Sequence, residues 1–245
     1  MAYSRSSLSK TATYRLKGKV ALVTGASRGI GTAIARALAA EGCRLILTAR
    51  DAKKLEKVGR ELKAVTIAAD VRDPVQVGEA FRELKKRFAR LDIVVNNAGI
   101  GHGNQNVEEL PYEVWRDVIA TNLDGLFLVT HLALPLMKRG GAIVNNLSIA
   151  AKRVFPGSSA YNASKHGALG LTDTLREELR PKGIRVIALL PGATDTDIWK
   201  TLWPEAPRQR MLQPETVARA VVDALKLPDG GCAEEIILRP AAGTL

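Results

Sequence analysis

The chain has 245 residues, of which 46% are hydrophobic and 25% are charged, a composition typical of a globular protein and not of a disordered one. This length suits one α/β domain. No apolar run approaches the ~20 residues that cross a bilayer, and the polar N-terminus lacks the apolar segment of a secretory signal. We therefore expect a cytoplasmic protein with no membrane span.

The formal net charge of +11 is concentrated near the N-terminus. Residues 1–63 hold 14 Lys and Arg and 4 Asp and Glu, whereas residues 64–245 hold 22 and 21. Such a region suits an anionic partner, such as a nucleic acid, an acidic carrier or a phosphorylated cofactor, but the charge alone favours a solvated basic face. Only Tyr3 and Tyr14 could stack on bases there, so we expect no nucleic-acid binding. Residues 1–16 are predicted to form a flexible polar tail.

Neither of the two cysteines, Cys43 and Cys232, belongs to a CxxC pair or to a Cys/His cluster. The three histidines form no metal-binding pattern with them, so we expect no metal site. Reduced thiols of this kind are typical of a cytosolic protein.

Apolar runs that predict strands alternate along the chain with stretches of helical periodicity. The predicted strands are residues 19–24, 44–49, 65–69, 92–95, 142–147, 184–190 and 235–238. The predicted helices are residues 29–41, 53–62, 74–90, 112–139, 160–180 and 215–226. This alternation predicts an α/β fold, a doubly wound parallel sheet of about seven strands flanked by helices in one domain over residues 17–245. Ligands of such sheets bind at the carboxyl ends of the strands.

A glycine-rich turn, TGASRGIG, follows the first predicted strand at residues 24–31. Gly25 permits a tight exit from the strand, while Gly29 and Gly31 let the backbone approach a pyrophosphate and pack a helix against the sheet. The helix that follows offers free N–H groups and the positive end of its dipole to phosphates. A turn placed between a strand and a helix predicts a dinucleotide site, although its spacing differs from G-x-G-x-x-G.

The residues near the end of the second predicted strand bear on which nicotinamide cofactor binds. An acid there would accept hydrogen bonds from the ribose 2′-hydroxyl of NAD, but Ala49 holds that position. Arg28 and Arg50 could instead pair with a 2′-phosphate through charge-assisted hydrogen bonds. We therefore predict NADP(H). The alternative is that Arg50 is solvated and Asp51 binds the ribose of NAD.

A tyrosine and a lysine lie four residues apart in the segment YNASK at residues 161–165, and so share one face of a helix. A free tyrosine has a pKa of ~10, which a nearby ammonium group lowers. Tyr161 beside Lys165 could then exchange a proton near neutral pH. Ser148, at the end of the fifth predicted strand, could hold a substrate oxygen.

Taken together, these motifs resemble the short-chain dehydrogenase/reductase family, which has a single-domain Rossmann-type fold. The resemblance covers about residues 17–240. The motifs occur in order as TGASRGIG, NNAG at residues 96–99, Asn122 in TNLDG, Ser148, YNASK, and PGATDT at residues 191–196.

The resemblance implies a catalytic role for four residues. Tyr161 would be the acid/base that exchanges a proton with the reacting oxygen, and Ser148 would position the carbonyl or alcohol. Lys165 would lower the pKa of Tyr161 and bind the nicotinamide ribose. Asn122 would hold a water that links Lys165 to a proton relay.

Cofactor contacts are implied in the same way. Asp70 would contact the adenine amine, and Thr194 and Thr196 would contact the carboxamide and the diphosphate. The full set of implied cofactor-binding residues is Gly25, Ser27, Arg28, Gly29, Ile30, Gly31, Arg50, Asp70, Val71, Asn97, Ala98, Gly99, Tyr161, Lys165, Pro191, Gly192, Thr194 and Thr196.

The function that this resemblance implies is hydride transfer between NADP(H) and a carbonyl or secondary alcohol, in the reductive direction. One alternative is a 3-ketoacyl-carrier-protein reductase, which the C-terminal segment EEIILRPAAGTL weakens because it lacks a terminal Gly-Gly hairpin. Another is a catalytically idle NADP(H)-binding protein, which would be expected to have lost one of the four catalytic residues. We also expect a homodimer or homotetramer, and residues 198–212 could form a lid over the substrate.

Overall fold

A parallel seven-stranded sheet forms the centre of the computed structural model, which describes residues 15–228 and 230–243. The strands follow one another across the sheet in the order β3-β2-β1-β4-β5-β6-β7, which confirms the predicted doubly wound α/β fold. Their bounds are β1 Val20–Thr24, β2 Arg44–Ala49, β3 Val65–Ala68, β4 Leu91–Asn96, β5 Met137–Asn146, β6 Arg185–Pro191 and β7 Glu235–Leu238.

Helices cover both faces of the sheet. Helices α1 and α8 pack against each other and on one face, while α3, α5 and α6 cover the other. The helix bounds are α1 Gly29–Ala40, α2 Ala52–Leu62, α3 Pro74–Arg87, α4 Tyr112–Ile119, α5 Gly125–Ala133, α6 Ser159–Leu179, α7 Trp199–Leu202 and α8 Pro214–Leu225.

The apolar core has two layers because side chains alternate between the faces of a strand. In β1, Ala21 and Val23 belong to the layer under α1 and α8, whereas Val20 and Leu22 belong to the layer under α3, α5 and α6. Every residue of β1 is buried. This burial on both faces explains why the strand is a continuous apolar run rather than an alternating one.

The predicted helix at residues 112–139 was wrong at its C-terminal end. After α4, a π-helical turn at Ala120–Asp124 leads into α5, and a 3-10 turn at Leu134–Leu136 ends the helical segment. Pro135 lies in that turn, where it has no N–H to continue the helix. Met137 already pairs with Leu91 in the sheet, so the fifth strand begins five residues before the predicted residue 142.

The helical stretch Tyr112–Leu136 is long and apolar enough, by length and composition alone, to cross a membrane, with a mean hydropathy of 1.4. In the structure, 44% of its most apolar window is buried inside the protein. Its α4 and α5 parts pack against α6 and α3. We interpret the stretch as a core helix of the fold.

The described chain begins close to the edge of the core. Leu16, which was assigned to the predicted tail, is only 2% exposed and packs in the layer under α1. The Cys43 thiol donates a hydrogen bond to the Leu16 carbonyl oxygen at 3.4 Å. The packed domain therefore includes Leu16, and the prediction of a tail at residues 1–14 lies outside the described residues.

A buried polar network fixes α5 and α6 relative to the ends of the central strands. The Asn96 amide donates to Thr130 in α5 and to the side-chain oxygen of Asn145, both at 2.9 Å. Asn145 in turn donates to Thr172 in α6 at 2.9 Å. Hydrogen bonds of this kind are costly to break when buried, so they hold α6 in a defined position at the carboxyl edge of the sheet.

Candidate active site

A cleft of about 1360 Å³ opens at the carboxyl ends of the strands. It lies where a doubly wound sheet binds its ligands. Most of the site residues expected from the sequence line it. They are Gly25, Ser27, Arg28, Gly29, Ile30, Arg50, Val71, Asn97, Ala98, Gly99, Ser148, Tyr161, Lys165, Pro191, Gly192, Thr194 and Thr196.

Three of the expected residues, Gly31, Asp70 and Asn122, do not line the cleft. Gly31 lies beneath the glycine turn, against Asn97 and Gly25. The Asp70 side chain binds Arg72, and the Asn122 side chain binds the Ile100 carbonyl oxygen.

The glycine turn is held in place by the side chain of Asn97. Its amide nitrogen donates to the carbonyl oxygens of Thr24 at 2.9 Å and Gly25 at 3.2 Å. A Cβ on Gly31 would overlap both the Asn97 amide and the Gly25 carbonyl. Gly25 has a φ of +62°, in the left-handed region that glycine adopts without strain. The turn therefore requires glycine at both positions, Gly25 and Gly31.

The hydrogen bonds of Asn97 continue to the next strand. Its side-chain oxygen accepts a hydrogen bond from Asn146 at 2.8 Å. The Asn146 carbonyl oxygen then accepts one from Lys165 at 3.1 Å. Asn146 is not among the predicted site residues, because its only signal in the sequence is its place at the end of the fifth predicted strand, two residues before Ser148.

At the end of the cleft near β2, the acid that could bind a ribose is already engaged. Asp51 is the N-cap of α2, where it accepts a hydrogen bond from the Lys54 backbone at 3.0 Å. Its carboxylate also lies 3.3 Å from the Lys54 ammonium group. These contacts lower the pKa of Asp51, the backbone hydrogen bond from Lys54 being the largest cause.

Arg28 and Arg50 are both exposed and both line the cleft. Arg50 lies 3.8 Å from Asp70, a loose contact, whereas Arg72 binds Asp70 closely at 2.7 Å. Burial raises the pKa of Asp70, but the hydrogen bonds from Arg72 outweigh it and leave the pKa below its ordinary value. The Asp70 carboxylate is therefore committed to an ion pair, while the guanidinium groups of Arg28 and Arg50 face the cleft.

Ser148 and Tyr161 meet at the other end of the cleft. Ser148 follows β5 and caps a short 3-10 turn, its Oγ accepting a hydrogen bond from Ala150 at 3.1 Å. Burial raises the pKa of Tyr161, and a hydrogen bond with Ser148 acts in the opposite direction. The net direction is upward, because burial disfavours the charged phenolate.

Lys165 is almost fully buried on α6, with only 5% of its surface exposed. Its ammonium group lies 5.6 Å from the centre of the Tyr161 ring. Burial lowers the pKa of Lys165 from 10.5 to about 8, since the charged form loses its hydration. The amine is therefore mainly protonated at pH 7, directly below the phenol.

Asn122 lies in the π-helical turn between α4 and α5, a kind of distortion that is frequent at functional sites. Its amide nitrogen donates to the Ile100 carbonyl oxygen at 2.9 Å and to Ser164 at 3.0 Å. Its side-chain oxygen accepts from the Ile100 backbone at 2.9 Å. The side chain therefore fastens the loop after β4 to α6.

The segment expected to form a lid contributes α7 to the cleft. Trp199, Leu202 and Trp203 line the cleft, and the Trp199 indole donates to the Thr194 carbonyl oxygen at 2.8 Å. Leu202 packs directly on Gly101, where a Cβ would overlap its side chain. Helix α7 therefore closes over the loop after β4, a contact between distant segments that no local pattern could predict.

Comparison with known proteins identifies the family to which this chain belongs. The family model described as short chain dehydrogenase matches residues 19–207. The chain belongs to the short-chain dehydrogenase family. A 3-oxoacyl-[acyl-carrier-protein] reductase from Synechocystis is 37% identical to this short-chain dehydrogenase, over 84% of its chain and 88% of the relative.

Solved structures of relatives share the whole fold of this short-chain dehydrogenase. An alcohol dehydrogenase from Thermococcus sibiricus, complexed with 5-hydroxy-NADP, has a TM-score of 0.87 and 35% identity, covering 94% of this chain and 99% of that one. A short chain dehydrogenase from Burkholderia cenocepacia, in complex with NADP, has a TM-score of 0.85 and 32% identity with the same coverage.

Gly31→Ala tests the close packing under the glycine turn. We expect it to lower the free energy of unfolding by about 2–4 kcal/mol, as overpacking against backbone does, in thermal or urea unfolding without ligand. Gly170→Ala is the matched control, because no atom lies within 4 Å of a Cβ there. That change in the middle of α6 should stabilise the protein by about 0.5–1 kcal/mol. Equal effects at the two glycines would contradict the packing argument.

Lys165→Met tests the cost of burying an ammonium group. The folded pKa of about 8 lies below the ordinary 10.5, so the cost is complete below pH 8 and disappears as the pH rises to 10.5. Relative to wild type, the variant should therefore be more stable at pH 7, and this advantage should shrink by about 2–3 kcal/mol towards pH 10. Urea unfolding at both pH values measures it. Lys182→Met, at an exposed lysine, should show no such pH-dependent difference.

Proposed function

We propose that this short-chain dehydrogenase reduces a carbonyl compound with NADPH, or oxidises the corresponding secondary alcohol in reverse. One catalytic domain over residues 17–245 would carry the reaction. The observation that supports this most directly is the meeting of Ser148, Tyr161 and buried Lys165 at one end of a cleft whose other end is a glycine turn.

The cleft fits a dinucleotide. Gly29, with a φ of +56°, leaves backbone exposed at the start of α1, and the side chain of Thr196 lies just across from it. A phosphate at this start of α1 would meet helix N–H groups and the positive end of the α1 dipole. Bound here, NADP(H) would supply or accept the hydride.

Two observations favour NADP(H) over NAD(H). Arg28 and Arg50 line the cleft, where a 2′-phosphate near the end of β2 would meet them, whereas the Asp51 carboxylate, which also lines the cleft, is engaged as the cap of α2 and with Lys54. The Burkholderia and Thermococcus relatives carry NADP and an NADP derivative. A 3-ketoacyl-(acyl-carrier-protein) reductase from Brucella melitensis, complexed with NADH, shows that the fold also accepts the other cofactor.

In the proposed reaction, the Ser148 hydroxyl would hold the carbonyl oxygen, and the Tyr161 hydroxyl would donate its proton to that oxygen. Lys165, protonated below a pKa of about 8, would stabilise the resulting phenolate and so offset the effect of burial on Tyr161. Its hydrogen bond to Asn146 fixes the amine beneath the phenol. Asn122 would act by holding the loop at Ile100 in place.

The substrate could be a 3-ketoacyl group on a carrier protein, as the name of the Synechocystis relative suggests. The C-terminal sequence departs from that of the 3-ketoacyl-carrier-protein reductases, so we favour a carbonyl reductase that is not limited to this substrate. A catalytically idle binding protein is disfavoured, because the four catalytic residues are all present.

We also propose a homodimer or homotetramer in the cytoplasm. Tyr112 and Phe127 expose 68% and 51% of their surface on the α4–α5 side of the protein. Large exposed apolar side chains often mark an interface. Cys43 and Cys232 form no disulfide, which suits a reducing compartment.

Tyr161→Phe should lower kcat at least 100-fold, because removal of a general acid costs about 10²–10⁴ in rate. NADPH should still stabilise the variant against thermal unfolding. Tyr112→Phe, at an exposed tyrosine, is the matched control and should keep its turnover. Wild-type turnover by Tyr161→Phe would show that another group transfers the proton.

Arg50→Asp should invert the cofactor preference. We expect NADPH to stabilise the wild type more than NADH at matched concentrations, since stabilisation grows as RT ln(1 + [L]/Kd). The variant should lose most of the NADPH effect, because an aspartate repels the 2′-phosphate. Arg82→Asp, at an exposed arginine on α3, controls for the change in charge. An unchanged preference would place the 2′-phosphate elsewhere.

A further inference from the structure

The segment after β7 forms part of the cleft wall. Arg239 and Pro240 both line the cleft. The Gly192 N–H donates to the Leu238 carbonyl oxygen at 2.7 Å, and a Cβ on Gly192 would come within 3.2 Å of Leu238 and Pro240. The close approach that Gly192 permits therefore fixes Arg239 beside the end of β6.

The register of the sheet places Arg239 near the level of Ser148. Asn146, Leu189 and Ile236 lie opposite one another in β5, β6 and β7. Ser148 and Leu238 each lie two residues beyond that row. Two strand spacings separate them by about 10 Å, and an extended arginine side chain crosses a large part of that gap.

The side chains of β7 alternate between the two faces of the sheet. Ile236 and Leu238 pack in the core layer under α1 and α8. Glu235 points to the opposite side, where it binds Lys152, four residues after Ser148. Arg239 is the first residue after this strand and lines the cleft.

The charges lining the cleft leave Arg239 without an acidic partner among the described residues. The lining carboxylates are Asp51 and Asp197, and both pair with lysines, Asp197 with Lys200 at 2.8 Å. Arg239 is exposed. It follows the edge strand β7, at the far side of the sheet from Arg50, which follows β2. Arg239 therefore lines the cleft on the far side of the sheet from the end at which a 2′-phosphate would bind.

We propose that Arg239 forms an anion subsite that selects carbonyl substrates carrying a carboxylate or phosphate a few bonds from the reacting carbon. A guanidinium group binds either anion through two parallel, charge-assisted hydrogen bonds. The inference rests on the proposed function, because it takes Ser148 and Tyr161 as the place where the carbonyl binds.

Three aldehydes test this subsite in NADPH-dependent reduction. 4-Formylbenzoate and methyl 4-formylbenzoate have nearly the same shape and differ in charge, and 4-formylphenyl phosphate replaces the carboxylate with a phosphate. We expect the wild type to prefer an anionic aldehyde over the ester by about 10- to 100-fold in kcat/KM, the value of a hydrogen bond to a charged group. Which anion is preferred identifies the substrate class.

The variants assign that preference to one residue. In Arg239→Gln, the ratio of kcat/KM for anionic and ester substrates should fall to about one, and Arg239→Lys should restore part of it. Arg153→Gln is the matched control, since Arg153 is exposed near Ser148 but does not line the cleft. It should keep the preference. A wild-type ratio near one, or a preference that survives in Arg239→Gln, would overturn the proposal.

A second measurement separates this inference from the proposed function. Thermal shifts with NADPH alone show whether Arg239 contacts the cofactor, and a loss of that shift in Arg239→Gln with an intact substrate preference would overturn the subsite. If no aldehyde is reduced, the proposed function fails. The subsite is then judged by binding: 4-formylbenzoate must stabilise the wild type more than the ester does, and Arg239→Gln must abolish the difference.

Discussion

The hydrogen bonds of Asn97 are the interaction on which the active site depends. Through them the end of β4 holds the glycine turn after β1, and through Asn146 the same chain of hydrogen bonds reaches Lys165 on α6. The two ends of the cleft are thus joined by short contacts across three strands. A substitution that displaces the Asn97 amide would therefore act on both ends of the cleft at once. Gly31 packs directly against this amide and leaves no room for a Cβ.

The same contacts explain how the protein tolerates an unfavourable group. An amine buried to 5% exposure loses most of its hydration, and one carbonyl oxygen replaces only part of that loss. Buried Asn145 donates a hydrogen bond to Thr172 nearby, and Thr172 donates one to the Ala168 carbonyl oxygen. A buried ammonium group beside a phenol is the arrangement that the proposed proton exchange would use.

The sequence predicted the sheet and the position of the glycine turn after β1 well, because both depend on local patterns. A strand buried on both faces must be apolar throughout, and a turn that brings backbone to a phosphate must contain glycine. The sequence pattern predicted a helix at residues 112–139 that is too long at its C-terminal end. Met137 is apolar and would suit a helix or a strand, and only its pairing with Leu91 shows that it belongs to β5. The cofactor contacts of Asp70 and Gly31 stay predictions, and neither residue lines the cleft, because a motif gives neighbourhood along the chain and not which atoms reach the cleft.

The substrate end of the cleft is formed by contacts between distant segments, so no local sequence motif predicts its specificity. Leu202 rests on Gly101, and Arg239 is fixed by the missing side chain of Gly192. Both contacts lie on loops or at an edge strand, which can change without disturbing the hydrogen bonds around Asn97. A family built this way can keep one hydride-transfer site and vary its substrates. The residues that distinguish this chain are then those that line the cleft without belonging to any shared motif, and Arg239 is one of them.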